Sequence, residues 1–415
     1  MSSRFLSACF AVLLSACPAL GNSRTEGNQL VVHEWGTFTS LQDETGRAIG
    51  GLNINDEPLP KFVHRLAGPT APVDPAALSK GFATLHPEVT MRLETPVVYF
   101  YPPANGDKIP VVDVSVAFRG GLLSEFYPRG DAGPAGASAG TKDLGKINGT
   151  LGWKNVTIGA GGDRLPVTDS HVWLAPRLAR HAAPLTVGAE SEQYLFYRGV
   201  AQLDAPVRVV RSGGSGEQIR LFDGRPAKAQ ASPLKLRAMW LAEFRADGAC
   251  AYRKIDAVPA AAEGNPVGQP ASFTEGEFSV INVDKLRVEM HAALVADGLF
   301  DEEASAMLET WKLSYFKSVG QRLFFLVPRD WTDGVLPLTV SKPCELTRVM
   351  MGRIELVTPA QRQSIKRLVE NKNLTPPEAQ ALHAKLGRMA APMLTDAMPK
   401  KPQATTTAAA AARTP

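Results

Sequence analysis

Apolar and polar residues alternate with a period of two through much of the first two thirds of the chain. Val112, Val114, Val116 and Phe118 alternate with Asp113, Ser115 and Ala117, the pattern of a strand buried on one face. Residues 31–40 are richer still in branched and aromatic types, which suit a pleated surface. As a strand they place His33, Trp35, Thr37 and Thr39 on one face and Glu34, Gly36, Phe38 and Ser40 on the other. His33 and Glu34 then point apart. Only a bulge, for which Gly36 is suited, would bring them to one site.

Further strands are expected at residues 91–101, 122–128, 151–158, 171–174, 194–200, 207–211, 219–222 and 236–244. A hairpin turn is expected at 43–47, an irregular wrap at 53–79, a flexible Gly-rich loop at 129–144 and a turn at 212–216.

The period changes near Asp284. Leu286, Met290, Ala293 and Leu294 recur at helical spacing, and Gly298 fits a stop. Asp301 is suited to cap a second helix with Ala304, Met307, Leu308, Trp311 and Tyr315 on one stripe. Strands return at 322–327 and 345–357, the latter interrupted by Gly352, and are expected to rejoin the earlier sheet. Thr358 with Gln361 and Thr375 with Glu378 match capping boxes, each with Pro at the first helical position.

The fold class read from this is α+β, mainly β: sandwich or barrel-like antiparallel sheets with a helical hairpin and C-terminal helices. Residues 29–283 form the β-rich region, and 284–398 an α+β region packed on the same core. Residues 399–415 hold Lys, Pro, Thr and Ala without core formers and read as a disordered tail.

The start of the chain adds a compartment. Arg4 and the apolar run 5–16 fit an export signal spanning residues 1–21. Leu14-Ser15-Ala16-Cys17 matches a lipobox, which would lipidate Cys17. Ala19-Leu20-Gly21 offers ordinary cleavage before Asn22. The lipobox is the favoured reading, although Pro18 is unusual after a lipidated Cys. The expected location is the periplasm or cell envelope, with a membrane reached only through an N-terminal lipid. Cys250 and Cys344 either pair in an oxidising compartment or remain separate buried thiols.

Charge excludes little else. With 45 basic and 41 acidic residues the formal charge is +4, which demands neither nucleic acid nor an acidic surface. No aromatic residues interleave with a basic run, so single-stranded nucleic acid is not an expected partner.

Several stretches resemble a known group when taken together: His33 to Thr39, Glu94 to Tyr101, Ser124 to Pro128, Leu195 to Val200 and Arg348 to Glu355. The set resembles uncharacterised exported bacterial proteins that carry an HEWGTFT signature. The resemblance spans about residues 31–359 and implies export. It implies no activity, cofactor or catalytic residue.

Candidate chemistry is sparse. H-E-x-x-H fails because Thr37 stands where a second His is needed. No Gly-x-Ser-x-Gly elbow or phosphate-binding loop occurs; residues 133–140 are Gly-rich but lack the Lys. No His pairs with Cys or His at metal-ligand spacing, so metal and cofactor stay unassigned. Glu34, Glu94 and Glu125 each sit beside aromatics, where a carboxyl can be held protonated as a general acid. Paired with Arg92 or Arg198 they become structural ions instead. His171 and Arg177 could bind an anion or form a solvated basic face. His33, Trp35, Arg92 and Arg198 complete the candidate binding residues. The expected function is a non-catalytic envelope module that binds a partner or polymer. A periplasmic hydrolase, acting on glycans through Glu34, Glu94 or Glu125 with His33, comes second. A metal protein centred on His33 comes third.

Overall fold

The structure is a computed structural model. It describes residues 29–54, 57–66, 85–103, 111–134, 143–212, 217–226, 228, 234–255, 268–371 and 373–398. The export segment with Cys17, the tail at 399–415, and parts of the segments at 53–79, 129–144 and 212–216 lie outside the described residues.

The first strands are β1 (Leu30–Gln42), β2 (His64–Arg65), β3 (Met91–Leu93), β4 (Val97–Tyr101), β5 (Val112–Arg119), β6 (Gly121–Tyr127) and β7 (Asp131–Pro134). Next come β8 (Asn148–Ile158), helix α1 (His171–Leu174), β9 (Leu185–Val187), β10 (Glu190–Glu192) and β11 (Leu195–Ala201). Then follow β12 (Val207–Ser212), β13 (Gln218–Asp223), β14 (Arg237–Phe244), β15 (Cys250–Ile255) and β16 (Gln269–Pro270). After helices α2 (Ile281–Ala296), α3 (Asp301–Thr310) and α4 (Lys312–Phe316) come β17 (Gly320–Leu326), α5 (Arg329–Val335), β18 (Leu338–Val340) and β19 (Cys344–Leu356). The described chain ends in α6 (Pro359–Glu370), α7 (Pro376–Leu386) and α8 (Ala390–Ala397).

One 16-stranded sheet carries most of these strands, in the order β10-β9-β8-β6-β11-β3-β1-β19-β17-β14-β15 along its main path. A separate sheet runs β12-β13-β16. The fold is therefore sheet-rich α+β, as the sequence predicts. Most pairings are antiparallel, but the longest is not: β1 and β19 run parallel through 13 paired positions, Leu30 opposite Cys344 to Gln42 opposite Leu356. All 13 residues of β1 are buried, because a core packs on each of its faces.

β3 and β4 lie in line between β1 and β11, interrupted by residues 94–96. That interruption sits against Gly36. A Cβ on Gly36 would lie 3.0 Å from Pro96 Cα, so the glycine serves close approach. It does not serve a bulge: the β1–β19 register runs unbroken through Gly36. Gly352 does not interrupt β19 either. Its missing side chain makes room for the Phe325 ring, whose Cζ would be 2.3 Å from a Cβ there. Residues 171–174, expected as a strand, form α1; four residues are too few for period to distinguish the two.

The two faces of β1 build two cores. Leu30, Val32 and Phe38 pack with Val116, Phe118, Trp153 and Leu323. Val31 and Trp35 pack with Tyr99, Trp173, Trp240 and the helical residues Leu286, Met290, Leu294, Met307 and Tyr315. A third cluster joins Leu41 and Leu122 to Ile365, Leu386, Met389 and Met393 of the C-terminal helices. Both capping boxes form. Gln361 N–H donates to Thr358 Oγ1 at 3.2 Å, and Thr375 N–H to Glu378 Oε2 at 2.9 Å. At α3 the cap moves back one residue from Asp301. Phe300 is the N-cap, and its N–H donates to Glu303 Oε2 at 2.8 Å.

Candidate functional site

The β1 alternation places His33 and Glu34 on opposite faces, and each meets a different partner. Glu34 is 1 % exposed. Register sets it opposite Arg348, whose Nε donates to Glu34 Oε2 at 2.5 Å. Tyr197 Oη donates to the other carboxylate oxygen at 2.5 Å. Arg348 also donates to Asp333 Oδ1 at 2.6 Å and to the Leu336 carbonyl at 2.6 Å. Burial works against the Arg348 charge, but Glu34, Tyr197 and Asp333 outweigh it and raise its pKa. Burial first, then the Glu34 charge, pushes the Tyr197 phenol well above its ordinary value. Both Glu34 carboxylate oxygens thus accept from buried donors of neighbouring strands.

His33 lies on the helix side. Its Nδ1 is 2.7 Å from Glu303 Oε2, and its ring lies 4.5 Å from that of Phe300 and 5.3 Å from that of Tyr101. Glu303 thereby ties β1 to the start of α3 while closing the α3 cap. Trp35 is a core residue, edge-on to Trp311 at 5.6 Å and tilted to Tyr99 at 6.0 Å.

Glu94 sits in the interruption between β3 and β4. It accepts from Arg92 Nε at 2.5 Å and from Thr39 Oγ1 at 2.8 Å. Arg198 donates to the Glu94 carbonyl and, through Nη1, to the Glu57 carbonyl at 3.2 Å. Arg198 faces Glu125 across β11 and β6, where a bulge sets in: Arg198 pairs with Glu125 and Gly199 with Leu123, leaving Ser124 as the extra residue. The site does hold a bulge, but in β6 rather than at Gly36. Arg65 Nε lies 3.5 Å from Glu125 Oε1. Burial lowers the Arg198 pKa, and the carboxylates of Glu125, Glu94 and Glu57 only partly restore it.

The same side of the sheet continues into β19 and β17. Thr39 is flanked by Arg92 on one side and Arg353 on the other. Arg353 Nε donates to Glu355 Oε1 at 2.8 Å, and Arg322 Nε lies 3.3 Å from Glu355 Oε2. Arg322 also donates to the carbonyls of Ser314, Tyr315 and Ser318, closing the turn after α4. Burial lowers its pKa to about 10. A belt of buried charge therefore crosses β6, β11, β3, β1, β19 and β17. Arg92, Arg198, Arg322 and Arg353 are each no more than 1 % exposed.

The structure thus gathers Glu94, Arg92, Arg198 and Glu125 into one belt and keeps Glu34 and His33 out of it. The basic pair is committed as well. Arg177 grips Glu192 with Nε at 2.9 Å and Nη2 at 2.7 Å, and Trp173 Nε1 donates to the same carboxylate at 2.7 Å. His171 Nε2 is 2.7 Å from the Glu309 carbonyl. The Nε–Nη2 fork of Arg177 is thus taken by Glu192.

Sequence reasoning missed Glu303, Tyr197, Glu57, Arg322 and Arg353. The signal that could have found most of them is a charge or phenol inside an apolar, strand-like run. It applies to Arg322 in Gly320–Leu326 as it does to Glu34.

Cys250 and Cys344 are free thiols. Cys344 opens β19 opposite Leu30, whereas Cys250 is level with Phe244 and Gly320, near the far end of β19. Twelve strand positions separate those levels, roughly 40 Å at strand rise, and a disulfide bridges Cα atoms under about 7 Å apart. Among the described residues no group of His, Cys, Asp and Glu could hold a metal ion, and no helix is long and apolar enough to cross a membrane. Surface grooves of about 460, 390 and 350 Å³ lie by α2 and α3, by α6 and α7, and by β5 and β8. Glu34, Glu94, Glu125 and His33 line none of these three. No protein-family model matches the chain, and a search of curated proteins finds no match.

Proposed function

We propose that this chain is an exported envelope protein acting as a non-catalytic binding or structural module. One observation carries the reading: the candidate acid Glu34 is buried and spent on Arg348 and Tyr197 inside the sheet. A general acid needs a free proton position within reach of substrate. Glu34 has both oxygens engaged by donors, and Glu94 accepts from Arg92 and Thr39. Such pairs hold strands in register; breaking one strands a buried charge. Export rests on the apolar run 5–16 and the lipobox ending at Cys17, together with the resemblance to exported HEWGTFT proteins.

The test has two arms. Glu34→Gln, Glu94→Gln and Glu125→Gln are expected to lower the unfolding midpoint, with wild type inert on a glycan panel. Turnover by wild type that vanishes in a stably folded Glu variant would overturn the non-catalytic reading. For the tether, growth with labelled fatty acid is expected to mark wild type and spare Cys17→Ser. No label on either leaves ordinary secretion.

A further inference from the structure

Four side-chain atoms at one end of the charged belt meet no hydrogen-bond partner: Arg198 Nη2, Glu125 Oε2, Glu57 Oε1 and Ser124 Oγ. Each of the four residues is more than nine-tenths buried. A buried polar atom without a partner is costly, most of all on a charged group, so a cluster of four calls for an occupant.

The four share one side of the sheet. Arg198 stands between Phe196 and Val200, which pack in the two helix-side clusters. Alternation from Tyr127 sets Glu125 on that side, and alternation from Leu122 sets Ser124 there as well. The bulge in β6 is what lets two adjacent residues face the same way. Glu57 lies against them, its carbonyl accepting from Arg198 Nη1 at 3.2 Å. The carboxylates of Glu125 and Glu57 both act on the Arg198 charge. Arg65 forms the rim: it pairs with Glu125 across β2 and β6, its side chain is 59 % exposed, and its Nε stands 3.5 Å from Glu125 Oε1.

The chemistry is two-signed. Two carboxylate oxygens ask for N–H donors, and one guanidinium nitrogen asks for an acceptor. A cation alone leaves Arg198 Nη2 orphaned, and an anion alone meets two carboxylates. A small molecule with an ammonium at one end and a carboxylate at the other answers all three through charge-assisted bonds, and Ser124 Oγ either donates or accepts.

We infer that this end of the belt binds a small zwitterion of the amino-acid type, with its ammonium between Glu57 and Glu125 and its carboxylate on Arg198. The inference rests on the reading of the chain as a binding module and gives that module a ligand class.

The probes are the free α-amino acids, added singly to the purified chain, with acetate and methylamine as one-signed controls. At about 10 mM at least one amino acid should raise the melting midpoint, as a ligand with a Kd of about 0.1–1 mM would. Acetate and methylamine should leave it unmoved. Glu57→Gln, which lies outside the strands, should weaken binding in calorimetric titration at least about tenfold. Ser124→Ala, the smaller change, should weaken it several-fold and keeps the test open if Glu57→Gln does not fold. No shift with any amino acid, the result expected if ordered water alone fills the site, would overturn the inference. So would an equal shift by acetate or methylamine, or binding that the folded variants leave intact. Turnover on the glycan panel tests the non-catalytic reading separately from all of these.

Discussion

Glu34 and Arg348 face each other across the parallel pair β1–β19, joined at 2.5 Å with each side chain 1 % exposed. The ion pair sits where chain ends far apart in sequence are zipped together. Removing Arg348 leaves the Glu34 carboxylate in the core with Tyr197 as its remaining donor, whereas Arg348 would still keep Asp333. Arg348→Met is therefore expected to cost about 3–5 kcal/mol, read from urea unfolding. Glu34→Gln combined with Arg348→Met should cost clearly less than the sum of the two singles, because both act on one interaction. Additive losses would show that the pair is not coupled.

Gly352 gives a steric test of the same strand. An added methyl would meet the Phe325 ring at 2.3 Å, and that ring is fully buried. Gly352→Ala should destabilise by about 1–3 kcal/mol, the usual range for overpacking. Pairing it with Phe325→Leu should recover part of the loss. A neutral Gly352→Ala in thermal melts would mean that the ring moves aside freely.

Acid should act through the clamp that holds the C-terminal helices. Burial pushes the Asp43 carboxyl up, but Thr45 and Arg47 outweigh it and leave it below its ordinary 3.8. Burial likewise raises Glu44, but Arg362 brings it below its ordinary 4.5. Arg362 Nη2 reaches Glu44 Oε2 at 2.7 Å, and Arg47 Nη2 reaches Asp396 Oδ2 at 2.6 Å, so α6 and α8 hang on these acids. A depressed carboxylate adds stability that is complete above its unfolded value and lost as pH falls through its folded value. Stability should thus drop below about pH 4, and Glu44→Gln should flatten that limb. Glu243 and Asp297 work in reverse. Burial raises both, so their ionised forms oppose folding, and stability should gain slightly as pH falls towards their unfolded values. Unfolding measured from pH 7 to 3 reads both limbs.

The two thiols should behave separately. Burial raises the Cys250 thiol to about 12, and it raises Cys344 as well. The thiolate is the reactive form, so alkylation in the native state should reach half-buried Cys344 before buried Cys250. Peptide mass spectrometry after a timed pulse reads the order, and reductant should leave the melting temperature unchanged. A Cys250–Cys344 peptide under oxidising conditions would contradict the strand order.

Much of the fold is legible because period and caps are local. The half-buried strand at Val112–Arg119 and the boxes at Thr358 and Thr375 need no distant information. The faces of β1 are legible too, since alternation alone separates His33 from Glu34. What lies across the sheet is not local. Nothing in residues 31–40 says that Glu34 meets a residue 314 positions later, or that His33 meets Glu303. The glycines misled for the same reason. Gly36 reads as a bulge and Gly352 as a break, but the first makes room for Pro96 between two strands and the second for the Phe325 ring of another. The candidate acids stand out as charges inside apolar runs, but which donors the fold brings to each is not written in those runs.

The parallel pairing of β1 with β19 also governs when the molecule can assemble. The first described strand cannot gain its long partner until residues 344–356 have been made. Through most of synthesis the 13-residue β1 lacks that partner for one of its two ladders of backbone groups. Contacts of such high sequence separation slow folding and prolong the exposure of that edge to other chains. The middle of the sheet therefore closes only when β19, the last described strand, is in hand.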